Sequence, residues 1–341
     1  MVFAYTRSVI DEYDSTEQQL DLIKRYCSEN KIEIDGIYSD RKTRCWRLSG
    51  ERDRARTLGL ESDYTDPELE KMLIEVMKVA ADIEVLILVD TKLKLAGYNE
   101  EHKRVFNRIL EKENVHIEEV GIRYESNGKG ICIYHATIGG LKRPRILIRN
   151  LDYCYKYAYD NKLLVSGMLV DTNSHNRKSY QVMKVNIEKN LYEGILVYST
   201  YLLTRKINVL AELLENVGKI YSVREGKLAV CNINDYKACR LNALAIYDSV
   251  FNEYFPERME WFCKYRVLWN LEISLRLEDF YKKDIKGIDI ILLEKYSDVA
   301  TDVCRFLELV KNIGMICNVK EGRILVYERK GSLLCKSIDS E

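Results

Sequence analysis

Thiols, imidazoles and charged groups are the residues of this 341-residue chain that could do chemistry. Ten cysteines are scattered without a CxxC pair, and the four histidines (His102, His116, His135, His175) stand at no metal-ligand spacing. A tetrahedral zinc site draws on thiolates or imidazoles spaced a few residues apart, so no metal site is expected. No small-molecule cofactor is expected either. Unpaired cysteines fit the reduced thiols of a cytoplasmic protein. The opening Met1-Val2-Phe3-Ala4-Tyr5-Thr6-Arg7 is too short and too polar for the apolar core of a signal peptide. No stretch approaches the roughly 18 apolar residues of a membrane helix, so no membrane partner is expected.

The 53 basic and 53 acidic residues cancel. Taken whole, the chain lacks the basic excess that neutralises nucleic-acid phosphates. The distribution is uneven: residues 1–142 carry −5, residues 143–236 carry +5 and the remainder is neutral. The middle segment is therefore the candidate phosphate-binding face, and opposite charge could draw the first two segments together. The 24 tyrosines read as core-edge and surface packing rather than base stacking.

The elements that must position any site repeat along the chain. Ser126-Asn127-Gly128-Lys129 precedes Ile131-Cys132-Ile133-Tyr134, Arg224-Glu225-Gly226-Lys227 precedes Leu228-Ala229-Val230-Cys231, and Lys320-Glu321-Gly322-Arg323 precedes Ile324-Leu325-Val326-Tyr327. Each reads as a glycine turn followed by a hairpin strand. Amphipathic helices are expected upstream, at Val105, Phe106 and Ile109, at Ile207, Leu210, Leu214 and Val217, and at Val303, Phe306, Leu307 and Val310. Buried strands precede these helices at Val85–Val89, at Ile195-Leu196-Val197 and from Ile288 to Leu293. Tyr26 to Asp40 mirrors Tyr157 to Asp171, the glycines Gly36 and Gly167 included. The expected fold is α/β: three tandem units spanning 1–140, 143–236 and 240–331, each a mainly parallel sheet flanked by helices with a C-terminal β-hairpin. Arg145-Ile146-Leu147-Ile148-Arg149 is read as the first strand of the second unit.

The first unit resembles the catalytic domain of the serine recombinases, the resolvase/invertase family. The residues that carry the resemblance are Tyr5-Thr6-Arg7 at a strand end, the helix from Ser15 to Cys27, Ile34-Asp35-Gly36-Ile37-Tyr38-Ser39-Asp40, the helix start Asp66-Pro67-Glu68-Leu69, and the strand Val85–Val89. The resemblance reaches about residue 118, and the later units share it only through their likeness to the first. It implies DNA strand exchange, in which a serine two residues after the first-strand arginine attacks a phosphodiester while arginines stabilise the growing charge.

The chain departs from that pattern at the chemistry. Val9 stands two residues after Arg7, and Ser8 points to the opposite face of a regular strand from Arg7. The family's arginine-bearing segment after the third strand reads Asp90-Thr91-Lys92-Leu93-Lys94-Leu95, and Asp66 replaces an arginine before Pro67. The second unit matches three of the family's phosphate-clamping arginines at Arg149, Arg177 and Arg205, but carries Leu151 where the serine would be. No long dimer helix, helix-turn-helix or zinc ribbon follows. The expectation is a catalytically inactive recombinase-like protein of a bacterial mobile element, binding DNA through Arg149, Arg177 and Arg205 or engaging a recombinase or other mobile-element protein. Arg7, read as a relic or an ion-pair partner, and Ser8 are the relic candidates of the catalytic site that the resemblance implies. The alternatives are a protein–protein regulatory module without nucleic acid, and residual strand cleavage through Ser8.

Overall fold

A computed structural model describes residues 1–9, 14–41, 67–95, 114–121, 130–136, 144–171, 177–236, 239–246, 260, 269–274, 285–296, 299–300 and 302–328. The chain divides into two compact units, Met1–Tyr192 and Glu193–Glu341. The division falls inside the span 143–236 that sequence treats as one copy.

Unit 1 opens with β1 (Val2–Arg7), α1 (Thr16–Asn30), β2 (Gly36–Asp40), α2 (Pro67–Val79), β3 (Val85–Val89) and β4 (Val115–Glu119). These four strands pair in parallel in the order β2-β1-β3-β4. Side chains alternate across β1 as a pleated strand requires. Phe3 and Tyr5 join Leu69, Met72 and Val76 of α2 on one face, while Ala4 joins Leu22, Ile23 and Cys27 of α1 on the other. Both faces are covered, which is why the strands read as near-continuous apolar runs. After β3 comes a 3-10 turn, Lys92–Lys94.

The rest of unit 1 is β5 (Ile131–Ala136), α3 (Pro144–Asp160), β6 (Val165–Asp171) and α4 (Lys178–Glu188). Two expectations change here. Residues 145–149 are helical and not a strand. A three-residue apolar run cannot separate strand from helix, but the longer pattern does: Leu147, Ile148, Leu151, Cys154, Tyr155 and Ala158 are buried at helical spacing. Pro144 suits the first helical turn, where its missing N–H has no partner to lose. Secondly, Ile131–Ala136 does not close a hairpin in the first copy. It pairs in parallel with β6 and opens a new strand–helix–strand run. The turn at Ser126–Lys129, the helix pattern at Val105, Phe106 and Ile109, and Asp66 lie outside the described residues.

Unit 2 carries β7 (Gly194–Val197), α5 (Ile207–Val217), β8 (Lys219–Ser222), β9 (Gly226–Asn232), β10 (Asn242–Ile246), β11 (Asn270–Ser274), β12 (Ile290–Leu293), α6 (Val303–Ile313), β13 (Met315–Asn318) and β14 (Arg323–Glu328). Its strands lie in the order β11-β10-β12-β13-β14-β9-β8-β7. The pairs β8–β9 and β13–β14 are antiparallel hairpins turning at Gly226 (φ 105°) and Gly322 (φ 65°), where a side chain is disfavoured. β7, α5 and β8 recur residue for residue 96 positions on as β12, α6 and β13. Four buried positions of α5 (Ile207, Leu210, Leu214, Val217) fall on buried positions of α6 (Val303, Phe306, Val310, Ile313). The halves meet where β9 and β14 run antiparallel, Lys227 opposite Glu328 and Asn232 opposite Arg323. This register is unchanged when each residue is exchanged for its counterpart 96 positions away, so unit 2 has an internal pseudo-two-fold axis.

Candidate functional site

In parallel α/β sheets, ligand chemistry gathers beyond the carboxyl ends of the strands. In unit 1 that edge brings together Arg7 at the end of β1, Asp90 and Lys94 after β3, Ser15 at the start of α1, and Asp152 and Tyr155 from α3. Arg7, Asp90, Lys94 and Asp152 are all at most 1% exposed. The Lys94 ammonium lies 2.9 Å from Asp152 Oδ1 and 4.0 Å from Asp90 Oδ2, and donates to the Arg7 carbonyl at 2.7 Å. The Asp152 carboxylate also accepts from the Val9 amide and the Ser15 hydroxyl, each at 2.8 Å. Gln19 donates to Ser15 Oγ at 2.6 Å and exchanges two hydrogen bonds with the Arg7 backbone. Tyr155 donates to Asp90 Oδ2 at 3.1 Å, and the Thr91 amide donates to Asp90 Oδ1 at 2.7 Å.

Burial pushes the Asp90 carboxyl above its ordinary range, against the pull of Lys94 and its two hydrogen bonds. Burial likewise raises the Tyr155 phenol well above 10, with Asp90 adding to the shift. The Lys94 ammonium and two carboxyl groups thus meet in a dry, hydrogen-bonded network. Ser8 is fully buried; its Oγ accepts from the Ser15 amide at 3.4 Å, and its own amide donates to the Asp40 carbonyl at 3.0 Å. Neither Ser8 nor Arg7 presents surface to a ligand. Asp152, the centre of the network, was missed in sequence because the misread strand at 145–149 hid the helix that delivers it.

A second construction appears twice. The Tyr5 hydroxyl donates to Asp40 Oδ2 at 2.8 Å, and Asp40 accepts the amides of Glu68 and Leu69 at the start of α2 at 3.1 and 3.0 Å. In β5 and β6, the Tyr134 hydroxyl donates to Asp171 Oδ2 at 2.9 Å, and Asp171 accepts the amides of Ser179 and Tyr180 at the start of α4 at 2.9 and 3.0 Å. Each carboxylate closes two amides that a helix start leaves without intrahelical partners. The second copy also carries a guanidinium. Arg177 donates from Nε and Nη2 to the Tyr134 hydroxyl at 3.3 and 2.9 Å, and stacks 4.2 Å from the Tyr180 ring centroid.

The three candidate phosphate-binding arginines do not share one compact unit. Arg149 is exposed on α3, not at a strand end, and Arg177 is half-buried before α4. Arg205 is exposed in unit 2, 4.6 Å over the Tyr201 ring. Among the described residues, no group of three His, Cys, Asp or Glu side chains is placed to hold a metal ion, and no helix is long and apolar enough to cross a membrane. The chain matches no family model, no curated protein and no solved structure.

Proposed function

We propose that this chain is a non-catalytic binding protein built from three diverged resolvase-like units, with DNA or a DNA-processing protein as its partner. The observation that carries the reading is Asp152. Arg7 and Lys94 occupy the places where the resemblance expects a phosphate clamp, and an internal carboxylate pairs with the Lys94 ammonium. A phosphodiester entering there would have to displace a buried ion pair, and the buried Ser8 hydroxyl would have to give up the hydrogen bond it accepts from the Ser15 amide to reach it. Such a network suits a scaffold and opposes a nucleophile. The constant spacings of 131 residues between Asp40 and Asp171, and of 96 between α5 and α6, support common descent of the units.

The exposed Arg149 and Arg205, with Arg177 on its tyrosines, are the DNA ligands in this reading. The test uses the full chain with supercoiled and linear duplex DNA at low salt. A salt-sensitive complex without any covalent protein–DNA adduct is expected. An adduct abolished by Ser8→Ala would overturn the non-catalytic part, and absence of a complex would remove DNA. The second reading, a protein–protein module, is favoured by the prior engagement of Arg177 with Tyr134 and of Arg205 with Tyr201. A protein partner that survives nuclease treatment would select it.

A further inference from the structure

The buried network of unit 1 holds one amine and two carboxyl groups close together. Asp90 follows β3 directly, Lys94 ends the 3-10 turn after it, and Asp152 arrives from α3, 58 residues beyond Lys94. The side chains of all three have no exposed surface. Lys94 Nζ lies 2.9 Å from Asp152 Oδ1 and 4.0 Å from Asp90 Oδ2. An amine and a carboxyl group held at this distance are already paired for reaction, and exclusion of water removes the reactant that would hydrolyse their product.

The groups around the pair suit a condensation. The Val9 amide donates to Asp152 Oδ2 and the Ser15 hydroxyl to Oδ1, each at 2.8 Å. Donors fixed on these oxygens stabilise the negative charge that builds there when Cγ is attacked. Asp90 supplies the third part. Burial favours its neutral acid, against the opposing pull of Lys94 and the Thr91 amide. A neutral carboxyl beside the reacting nitrogen can give up one proton and take back another, and such contacts tighten as a reaction proceeds.

We propose that Lys94 Nζ and Asp152 Cγ condense to an isopeptide bond, which ties the turn after β3 to α3. Within their hydrogen bond, Nζ passes a proton to Oδ1 and the ion pair becomes amine and acid. The amine attacks Cγ. Asp90 then protonates the departing Oδ1 hydroxyl and takes a proton from the nitrogen, ending as it began. One C–N bond forms, one C–O bond breaks and one water leaves, with no change of oxidation state. Oδ2 stays as the amide oxygen under the Val9 N–H. The neutral pair is a minor form of the ion pair, so closure is slow and newly made chain holds the ion pair. A bond spanning 58 residues stabilises chiefly by restricting the unfolded chain, as a disulfide does.

The experiment is intact mass spectrometry of the full chain, denatured after increasing times of incubation in the folded state. A species lighter by one water is expected to accumulate, and its protease digest is expected to yield a branched peptide joining Lys94 to Asp152. Asp90→Asn is expected to slow the conversion about a hundredfold with circular dichroism unchanged. A mass that stays at the sequence value throughout would overturn the proposal. So would a lighter species whose digest lacks the branched peptide, as a succinimide at Asp35-Gly36 would give. An unchanged rate in Asp90→Asn would overturn the proton relay. The parent chain alone decides whether the bond forms, so a variant that fails to fold does not blunt the test. The duplex-binding assay reads the DNA proposal separately, so either can fail alone.

Discussion

Lys94 has no exposed surface, and its ammonium depends on Asp152 and the Arg7 carbonyl for the partners that water would otherwise supply. Removing one member of a buried ion pair strands the other, at a cost of about 3–5 kcal/mol, whereas replacing both with apolar groups is often neutral. Asp152→Ala should therefore lower unfolding stability by about that amount in urea titrations. Lys94→Met/Asp152→Leu should recover most of the loss; a double variant as unstable as the sum of the singles would show that the two groups do not act as a pair. His135 supplies a pH-dependent counterpart. It is 3% exposed, and burial lowers its imidazole from 6.5 to about 4. The folded state thus resists protonation that the unfolded state accepts. Stability should fall as pH drops from about 6.5 to about 4, by about 3 kcal/mol from this residue. His135→Asn should flatten the pH dependence of the melting temperature in that window relative to the parent chain. Arg7's place at a strand end was legible in sequence because it is local information. Asp152 was not, since nothing near Arg7 in the chain announces a carboxylate arriving from a helix 145 residues later.

The Tyr–Asp device belongs to the scale of elements, because one carboxylate ties two strands to a helix start. Asp171 accepts Tyr134 and the first amides of α4, as Asp40 accepts Tyr5 and the first amides of α2. Losing a helix-start acceptor costs about 1–2 kcal/mol, and a buried tyrosine hydroxyl left without its acceptor adds to that. Asp40→Ala and Asp171→Ala should each destabilise by about 2–4 kcal/mol, measured by thermal unfolding. A marked loss from one alone would show that the matching geometry is not matching energetics. The spacing behind this device was readable, since Tyr26–Asp40 and Tyr157–Asp171 align without a gap. Lys31 and Lys162, at corresponding positions, even share the left-handed conformation, φ 56° and 54°. What sequence could not supply was the state of residues 145–149, where Ile146-Leu147-Ile148 satisfies a short strand and a helix equally well. The helix is selected by contacts reaching Tyr155 and Ala158, beyond any window drawn around the arginines.

At the scale of the whole chain, a formal charge of zero gives no general attraction to nucleic acid, so any DNA affinity must come from local cations. The glycine turns at Gly226 and Gly322 made the 96-residue spacing in unit 2 visible in sequence, but not the seam it builds. Pairing β9 with β14 depends on which edges of the two halves are open, and that is a property of the assembled sheet. The candidate arginines divide in the same way, Arg149 and Arg177 in unit 1 and Arg205 in unit 2, so each unit's share of a DNA complex can be measured alone. A cation that meets a phosphate steepens the fall of log affinity with log salt by about 0.9 for duplex DNA. Arg205→Ala should flatten that slope by about one, and Arg149→Ala/Arg177→Ala by about two, in anisotropy titrations between about 50 and 200 mM salt. The losses should be alike across unrelated sequences, because phosphate contacts position a duplex without reading it. A loss confined to one sequence would point to base contacts. An unchanged slope in both variants, with affinity intact, would exclude these three arginines and move the DNA surface elsewhere on the chain.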